Sequence, residues 1–257
     1  MLYYLLYSYF VYVGLILLLG FIIGLLNKLF YFFLGSKKII VYLTGVIGTP
    51  IHELGHMIFC PIFGHKIDEF KLFQIGKSEL GYVNHSYNPK NIYHIIGNFF
   101  ISIGPIILGT SIVIMLYYLL ANEAFTYYLN DSINLINNNG NIFLLAQSFI
   151  LSIINTNSFI DYRFWIFVLL AFQIVLHMKL SKADIKASIG GFILVSIACI
   201  IANAILYLVL PNALIYNALN TYLLIFFSIF LLSLAFLLVL NILALIVFLF
   251  KKLIIKA

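Results

Sequence analysis

Charged residues are scarce in this chain: Asp, Glu, Lys and Arg together make up 9% of its 257 residues, whereas 64% are hydrophobic. Soluble globular domains contain about 25% charged residues, so the composition excludes that class. The formal net charge of +6 comes mainly from Lys residues in the predicted loops and at the C-terminus. This pattern is typical of membrane orientation and argues against a nucleic-acid partner. We therefore expect a single membrane domain over residues 1–257, with the lipid bilayer as its surroundings.

Cysteine is also scarce, because only Cys60 and Cys199 are present, and both lie in apolar segments. This excludes a disulfide framework. The N-terminal segment contains neither a basic region nor an A-x-A cleavage site, so we expect a retained helix and not a removable signal peptide. The many Ile, Asn, Lys and Tyr residues are typical of AT-rich bacterial genomes. The expected location is therefore a bacterial cell membrane, as an integral, multi-pass protein.

Long apolar segments predict the fold class. A helix needs about 20 apolar residues to cross the bilayer, and six segments approach or exceed this length: 3–26, 39–63, 92–120, 160–178, 186–209 and 219–250. We predict an all-α polytopic membrane protein with about six transmembrane helices and a short β-hairpin, residues 67–87, between the second and third. We predict a polar loop for residues 130–141 and an interfacial helix for the short apolar segment that follows them.

The distribution of Lys predicts the orientation. Lys residues cluster in the loop 64–91, in the loop 179–186 and at the C-terminus, whereas residues 121–141 contain acidic residues and no Lys. Because basic loops face the cytoplasm, we expect these three basic regions inside the cell and residues 121–141 outside.

Residues 48–60, GTPIHELGHMIFC, place ionisable side chains inside the second predicted span. In this H-E-x-x-H pattern, His52 and His56 are four positions apart and lie on one face of a helix, one turn from each other. The spacing suits one Zn²⁺ ion, and Glu53 can accept a proton from an activated water. Uncompensated ionisable groups in hydrocarbon are costly, which makes coincidence a weak explanation. We also expect Pro50 to weaken or kink the helix just before His52.

A catalytic zinc site generally needs a third protein ligand, and two candidates lie at the junction of the fourth and fifth spans. Asp184 is favoured by the ligand preferences of zinc, although a Ser181-x-x-Asp184 capping box would also explain it. His177 is the alternative third ligand, and a histidine at a helix end explains it equally well. The remaining candidates have plainer explanations as surface, loop or buried residues: Cys60, His65, His85, His94 and Asp161.

Three features resemble the site-2 protease family of intramembrane zinc metalloproteases. HELGH at 52–56 resembles the family's H-E-x-G-H, the β-forming segment 67–87 follows it, and the next helix contains IGNFFISIGPIILG, in which Gly104-Pro105 resembles a family G-P pair. The resemblance covers 39–120 and 181–191, which would form the metalloprotease core. Residues 121–178 would be an inserted loop, interfacial helix and span, and 192–257 the C-terminal spans.

The resemblance implies a ligand set and an activity. Zn²⁺ would be held by His52, His56 and an Asp of a later span, here Asp184, and Glu53 would act as general base and later as acid. The substrate would be a transmembrane or membrane-associated protein or peptide, whose peptide bonds are hydrolysed near the cytoplasmic side.

The same interpretation names substrate-binding residues. The edge of the 67–87 hairpin, at the segment Gly81-Tyr82-Val83-Asn84-His85, is expected to pair with an extended substrate, with Tyr82 and Asn84 in contact with it. A plain return strand on the membrane surface is the alternative. Asn98 is expected either to hydrogen-bond the substrate or to bridge helices. Two other functions stay open: a catalytically inert zinc-binding membrane scaffold and a metal transporter. The sequence indicates nothing about the oligomeric state.

Overall fold

A computed structural model of the chain describes residues 15–35, 38–77, 79–137, 142–209, Leu234 and 237–253. This part is mostly helical and contains one small sheet. Helices α1 (Leu15–Leu34) and α2 (Lys38–Ile62) precede strands β1 (Lys66–Lys71) and β2 (Tyr82–Ser86). They are followed by α3 (Ile92–Leu120), α4 (Asn122–Asn137), α5 (Ile142–Asn155), a 3₁₀ turn (Ser158–Ile160), α6 (Tyr162–His177) and α7 (Lys182–Val209). Residues 237–253 are also helical.

Two helices of the described residues are long and apolar enough to cross a membrane, namely α3 and the part Lys182–Ala202 of α7. The predicted bounds 92–120 coincide with α3. Helix α2 has 25 residues, but the polar side chains of HELGH lower its mean hydropathy, and α6 has only 16 residues. The predicted span 3–26 is described only from residue 15, and most of the span 219–250 lies outside the described residues. The prediction of six spans is therefore not confirmed.

The prediction of a loop at 130–141 is wrong for its first part, because α4 continues to Asn137. Ala124, Tyr128 and Ser132 are four residues apart and all buried, so they form one face of the helix, which packs against α5. Small and polar residues carry part of this face, and the helical period is therefore hard to see in the sequence. Residues 138–141 lie outside the described residues. The short helix expected after them is present as α5, with 14 residues.

The predicted hairpin is present as an antiparallel pair in which Lys66 lies opposite Ser86 and Lys71 opposite Tyr82. The chain passes from α2 into β1 through Gly64, whose φ of +70° favours glycine. A Cβ at Gly64 would also lie 3.0 Å from Nε2 of His94. The tight turn therefore holds the hairpin against the start of α3.

The helices around HELGH cross with their backbones in contact. A Cβ on Gly55 of α2 would lie 2.5 Å from the Cα of Pro105, and a Cβ on Gly104 would overlap the carbonyl of Gly55. On another side of α2, a Cβ on Gly48 would overlap the carbonyl of Gln173 in α6. Helix α3 in turn packs against α7. Glycines thus allow α2 to lie directly against both α3 and α6.

The apolar core lies beside these crossings and ties α3 to the inserted helices. Tyr117 of α3 stacks on Phe167 of α6 with ring centroids 5.0 Å apart. Its hydroxyl lies 2.8 Å from Oγ of Ser152 in α5. Both aromatic side chains are almost fully buried, so α5 and α6 pack against α3 around the Tyr117 side chain.

Candidate metal centre

The two histidines of α2 lie one helical turn apart with their rings converging. Nε2 of His52 and Nε2 of His56 are 3.2 Å apart, and the ring centroids are 4.9 Å apart at an interplanar angle of 82°. The helix continues through Pro50, so α2 is not interrupted there, although proline leaves the carbonyl of Val46 without its helical donor. The four-residue spacing on a continuous helix brings both rings to one side.

A backbone carbonyl orients His56. Its Nδ1 lies 2.8 Å from the carbonyl oxygen of Ile101 in α3. Because a carbonyl can only accept, Nδ1 carries the proton and Nε2 keeps its lone pair. Metal-binding histidines commonly donate their second ring N–H in this way. Helix α3 therefore prepares His56 for coordination through Nε2.

Asp184, the third residue, uses its two carboxylate oxygens differently. Oδ2 accepts a hydrogen bond of 2.7 Å from the backbone N–H of Ser181, and the backbone N–H of Asp184 donates to Oγ of Ser181 at 3.1 Å. This reciprocal pair is the predicted capping box. Oδ1 lies 3.6 Å from Nε2 of His56. The capping role and a metal-binding role are thus compatible in one side chain.

The three donor atoms form a group of suitable size and chemistry for zinc. The ligand atoms of His52, His56 and Asp184 all lie within 4.8 Å of one another. Ligand atoms of a tetrahedral zinc site, at about 2.0–2.2 Å from the metal, lie about 3.3–3.6 Å apart. Two imidazoles and one carboxylate also match the ligand types of catalytic zinc sites, which leave a fourth position open. The residues therefore fit a zinc ion.

Glu53 lies beside this group and is 6% exposed. A Cβ added to Gly81, just before β2, would lie 2.8 Å from Cγ of Glu53. The absence of a side chain at position 81 thus lets the hairpin approach the carboxylate. Because Glu53 follows the first histidine directly, its position relative to a metal ion is set by α2 itself.

These residues line a cavity of about 740 Å³, a volume typical of ligand-binding clefts. One wall is formed by the consecutive residues 79–85, which include Tyr82 and Asn84. The Tyr82 hydroxyl donates to the Glu69 carboxylate of β1. The structure does not place Asn98 on the cavity wall. Asn98 is 4% exposed, and its Oδ1 has no hydrogen-bond partner among the described residues.

His177 also lines the cavity, but both of its ring nitrogens contact threonines of α2. Nε2 lies 3.1 Å from Oγ1 of Thr44, and Nδ1 lies 3.2 Å from Oγ1 of Thr49. Because Thr44 donates its hydroxyl proton to the Ile40 carbonyl, it accepts from Nε2–H, and Thr49 then donates to Nδ1. His177 therefore joins α6 to α2, and the donor group next to His52 and His56 contains Asp184 instead.

One residue of this site, Ser102, was not found from the sequence. Ser102 of α3 donates from Oγ to the carbonyl of Asp184 at 2.9 Å and so holds the start of α7 beside the histidines. No local pattern distinguishes this serine from others in apolar helices. His85 of β2 lines the cavity as well. It is the last residue of the segment 81–85 that the sequence predicts as the substrate-pairing edge.

No family model, curated protein or solved structure matches the chain. The resemblance to the site-2 protease family therefore stays a prediction from the HELGH motif and the residues after it.

Proposed function

We propose that this protein is an intramembrane zinc metalloprotease that hydrolyses peptide bonds of transmembrane or membrane-associated proteins near the cytoplasmic side. The observation that carries the proposal is the convergence of the His52, His56 and Asp184 donor atoms beside Glu53 in one cavity. A purely structural zinc site has no need for a buried carboxylate next to its ligand or for an open cavity.

The chemistry follows from the named side chains. Zinc held by His52, His56 and Asp184 would supply Lewis acidity to a peptide carbonyl and make a neighbouring water easier to deprotonate. Glu53 accepts the proton of the attacking water and then returns it to the departing amine, so that the C–N bond breaks with the proton count balanced. The Ile101 carbonyl keeps His56 in the required tautomer throughout.

The unpaired edge of β2 is proposed as the substrate-binding element. A two-stranded sheet leaves one edge of each strand without backbone partners, and residues 82–85 of β2 line the cavity, whereas Ser86 does not. An extended peptide added to this edge would have its backbone aligned beside Glu53. Tyr82 and Asn84 project from this strand and would contact the neighbouring substrate side chains.

Membrane insertion through six helices is part of the proposal and is supported by the two apolar helices α3 and α7. A metal transporter is less well supported, because transport paths generally contain several polar sites in succession. Within the described ranges, His52, His56 and Asp184 form the one group of three potential ligands.

The decisive experiment compares Glu53→Gln with Glu79→Gln in purified, zinc-loaded protein. Both glutamates line the cavity, but only Glu53 belongs to the proposed chemistry. We expect Glu53→Gln to retain zinc and to lose at least 10²-fold in cleavage of a transmembrane reporter, since general-base catalysis contributes about 10²–10⁴-fold. Glu79→Gln should lose far less activity than Glu53→Gln, because the Glu79 carboxylate takes no part in the proton transfer. Zinc content is measured by elemental analysis and cleavage by electrophoresis; cleavage retained by Glu53→Gln would contradict the mechanism.

A further inference from the structure

A second group of histidines lies where the hairpin meets the start of α3, outside the metal-binding group. Nδ1 of His65 is 3.0 Å from Nδ1 of His85, and Nε2 of His65 is 2.9 Å from the carbonyl oxygen of His94. The His65 ring also stacks on Tyr87, with centroids 4.8 Å apart and an interplanar angle of 15°. His65 is 4% exposed, whereas His85 is half-buried and lines the cavity. The group therefore extends from the protein interior to the cavity wall.

The surroundings of both rings favour the neutral form. Burial lowers the pKa of His65, partly opposed by its hydrogen bond to the His94 carbonyl. Burial also lowers the pKa of His85, and the neighbouring His65 and His56 act in the same direction. The carboxylates of Asp68 and Asp184 oppose this shift only in part. Neutral imidazoles carry one proton each, so the position of every proton is decided by the hydrogen-bond partners.

The directions of the two hydrogen bonds follow from the His94 carbonyl, which is the last acceptor in the series His85–His65–His94. The His94 carbonyl can only accept, so His65 carries its proton on Nε2 and has a lone pair on Nδ1. That lone pair faces Nδ1 of His85, which must therefore be the donor. The remaining nitrogen of His85, Nε2, is then left with a lone pair on the opposite side of the ring. Because His85 lines the cavity and its Nδ1 is bonded to His65, we infer that Nε2 is the nitrogen that faces the cavity.

We propose that His85 is a further substrate-contacting residue, whose Nε2 accepts a hydrogen bond from a backbone N–H of an extended peptide, and that His65 is the positioning residue that fixes its tautomer. This inference rests on the proposed function, since it places a peptide in the cavity beside Glu53. A backbone N–H is present in every peptide, so this contact selects an extended peptide backbone without selecting a side chain. Peptides that carry proline at the contacted position lack the donor and would bind less tightly.

Two substitutions of His85 separate the cavity contact from the structural contact. Asparagine places an amide donor where Nδ1 lies and has nothing at the position of Nε2. Glutamine reaches the position of Nε2 but does not restore the short contact to His65. His85→Asn should therefore keep the hydrogen bond to His65 and lose the acceptor at the cavity. His85→Gln should lose the hydrogen bond to His65 and keep an acceptor at the cavity. Ser86→Ala, at an exposed neighbour whose hydroxyl bonds to Asp68, is the control.

The experiment measures peptide binding in the Glu53→Gln background, where the peptide stays intact. The probe is a fluorescein-labelled Ala-Leu-Gly peptide, titrated against zinc-loaded full-length protein and followed by fluorescence anisotropy. We expect His85→Asn to raise Kd about 3- to 10-fold, the factor that one neutral hydrogen bond supplies, with an unchanged unfolding temperature. His85→Gln should lower the unfolding temperature and bind more tightly than His85→Asn. Ser86→Ala should match the parent.

Each other result overturns the proposal. If His85→Asn binds as the parent does, Nε2 makes no substrate contact; if binding follows the unfolding temperature in all variants, His85 is only a structural residue. The proposal is also overturned if the Glu53→Gln protein with His85 intact fails to bind the peptide. Long-range ¹H–¹⁵N NMR of histidine-labelled protein tests the tautomer separately, and a proton on Nε2 of His85 would contradict the assignment. Failure of the proposed function is distinguishable, because it appears as no reporter cleavage by zinc-loaded protein with Glu53 intact.

Discussion

Asp184 shows, at the scale of a single residue, how one carboxylate serves a helix end and a metal-binding group together. Oδ2 is held by the backbone N–H of Ser181, while Oδ1 faces His56. The capping bond restricts the rotation of the carboxylate, so Oδ1 is already oriented towards the place where a metal ion would bind. Pre-orientation of a ligand by its outer partners is a general feature of metal sites.

Three substitutions distinguish the roles of Asp184 as proposed metal ligand, Ser181 as helix cap and His177 as alternative ligand. Asp184→Asn keeps a capping side chain but replaces the charged oxygen by an amide, and zinc affinity should fall by at least about 10-fold. Ser181→Ala should cost about 1 kcal/mol of stability and keep most of the zinc. His177→Ala should also keep zinc, because both nitrogens bond to threonines. Zinc affinity is measured by competition with a chelating dye. Loss of zinc only in His177→Ala would show that the ligand assignment is wrong.

At the scale of elements, the site depends on how closely α2 and α3 cross. The glycine inside HELGH and the Gly104-Pro105 pair of α3 meet backbone to backbone. This crossing brings the Ile101 carbonyl to His56, and α7, packed on the other part of α3, brings Asp184 to the same place. A small displacement of α3 would therefore disturb the orientation of one ligand and the position of another.

The element-scale prediction concerns Gly55→Ala, with Gly24→Ala in α1 as the matched control. A Cβ at Gly55 would lie 2.5 Å from the backbone of Pro105, whereas a Cβ at Gly24 meets no described atom within 4 Å. Gly55→Ala should destabilise the protein by about 1–3 kcal/mol through overpacking and weaken zinc binding. Gly24→Ala should be neutral or stabilising, since alanine favours helix by about 1 kcal/mol. Thermal unfolding in detergent measures the stability of both variants. Equal changes in the unfolding temperature would argue against a close crossing at Gly55.

At the scale of the whole molecule, α3 separates two parts of the chain. It has 29 residues and is therefore about 43 Å long, sufficient to cross a bilayer. The hairpin precedes its N-terminus, and α4 follows its C-terminus. If α3 spans the membrane, the hairpin and α4 lie on opposite sides, and the cavity lies nearer the hairpin side because residues 79–85 form its wall.

The whole-molecule prediction assigns the hairpin to the cytoplasm and α4 to the outside. In a background with Cys60 and Cys199 replaced by alanine, single cysteines would be placed at the exposed positions Lys71 and Asn130. A membrane-impermeant maleimide should label Asn130→Cys in intact bacterial cells. Lys71→Cys should be labelled only after permeabilisation. The reverse pattern would invert the orientation, and labelling of both in intact cells would contradict a spanning α3.

Features that depend on local pattern were predictable from the sequence. The four-residue spacing places His52 and His56 on one helix face whatever surrounds them. The bounds of α3 follow from a mostly apolar segment with polar residues at both ends. The alternation and turn residues of 67–87 likewise predicted the hairpin. By contrast, α4 was missed, since its buried face contains Ala124 and Ser132, which give no clear hydrophobic period.

The sequence by itself determined that this chain carries a pair of imidazoles and a carboxylate on one turn of an apolar helix. Only the tertiary structure decided which residue joins them. Asp184 and His177 are close in sequence, at one helix junction, and both had plausible local roles. The packing of α7 on α3 turned Asp184 towards His56, and the packing of α6 on α2 engaged His177 with threonines. Neither contact has a local sequence signal, because each is formed between helices far apart along the chain.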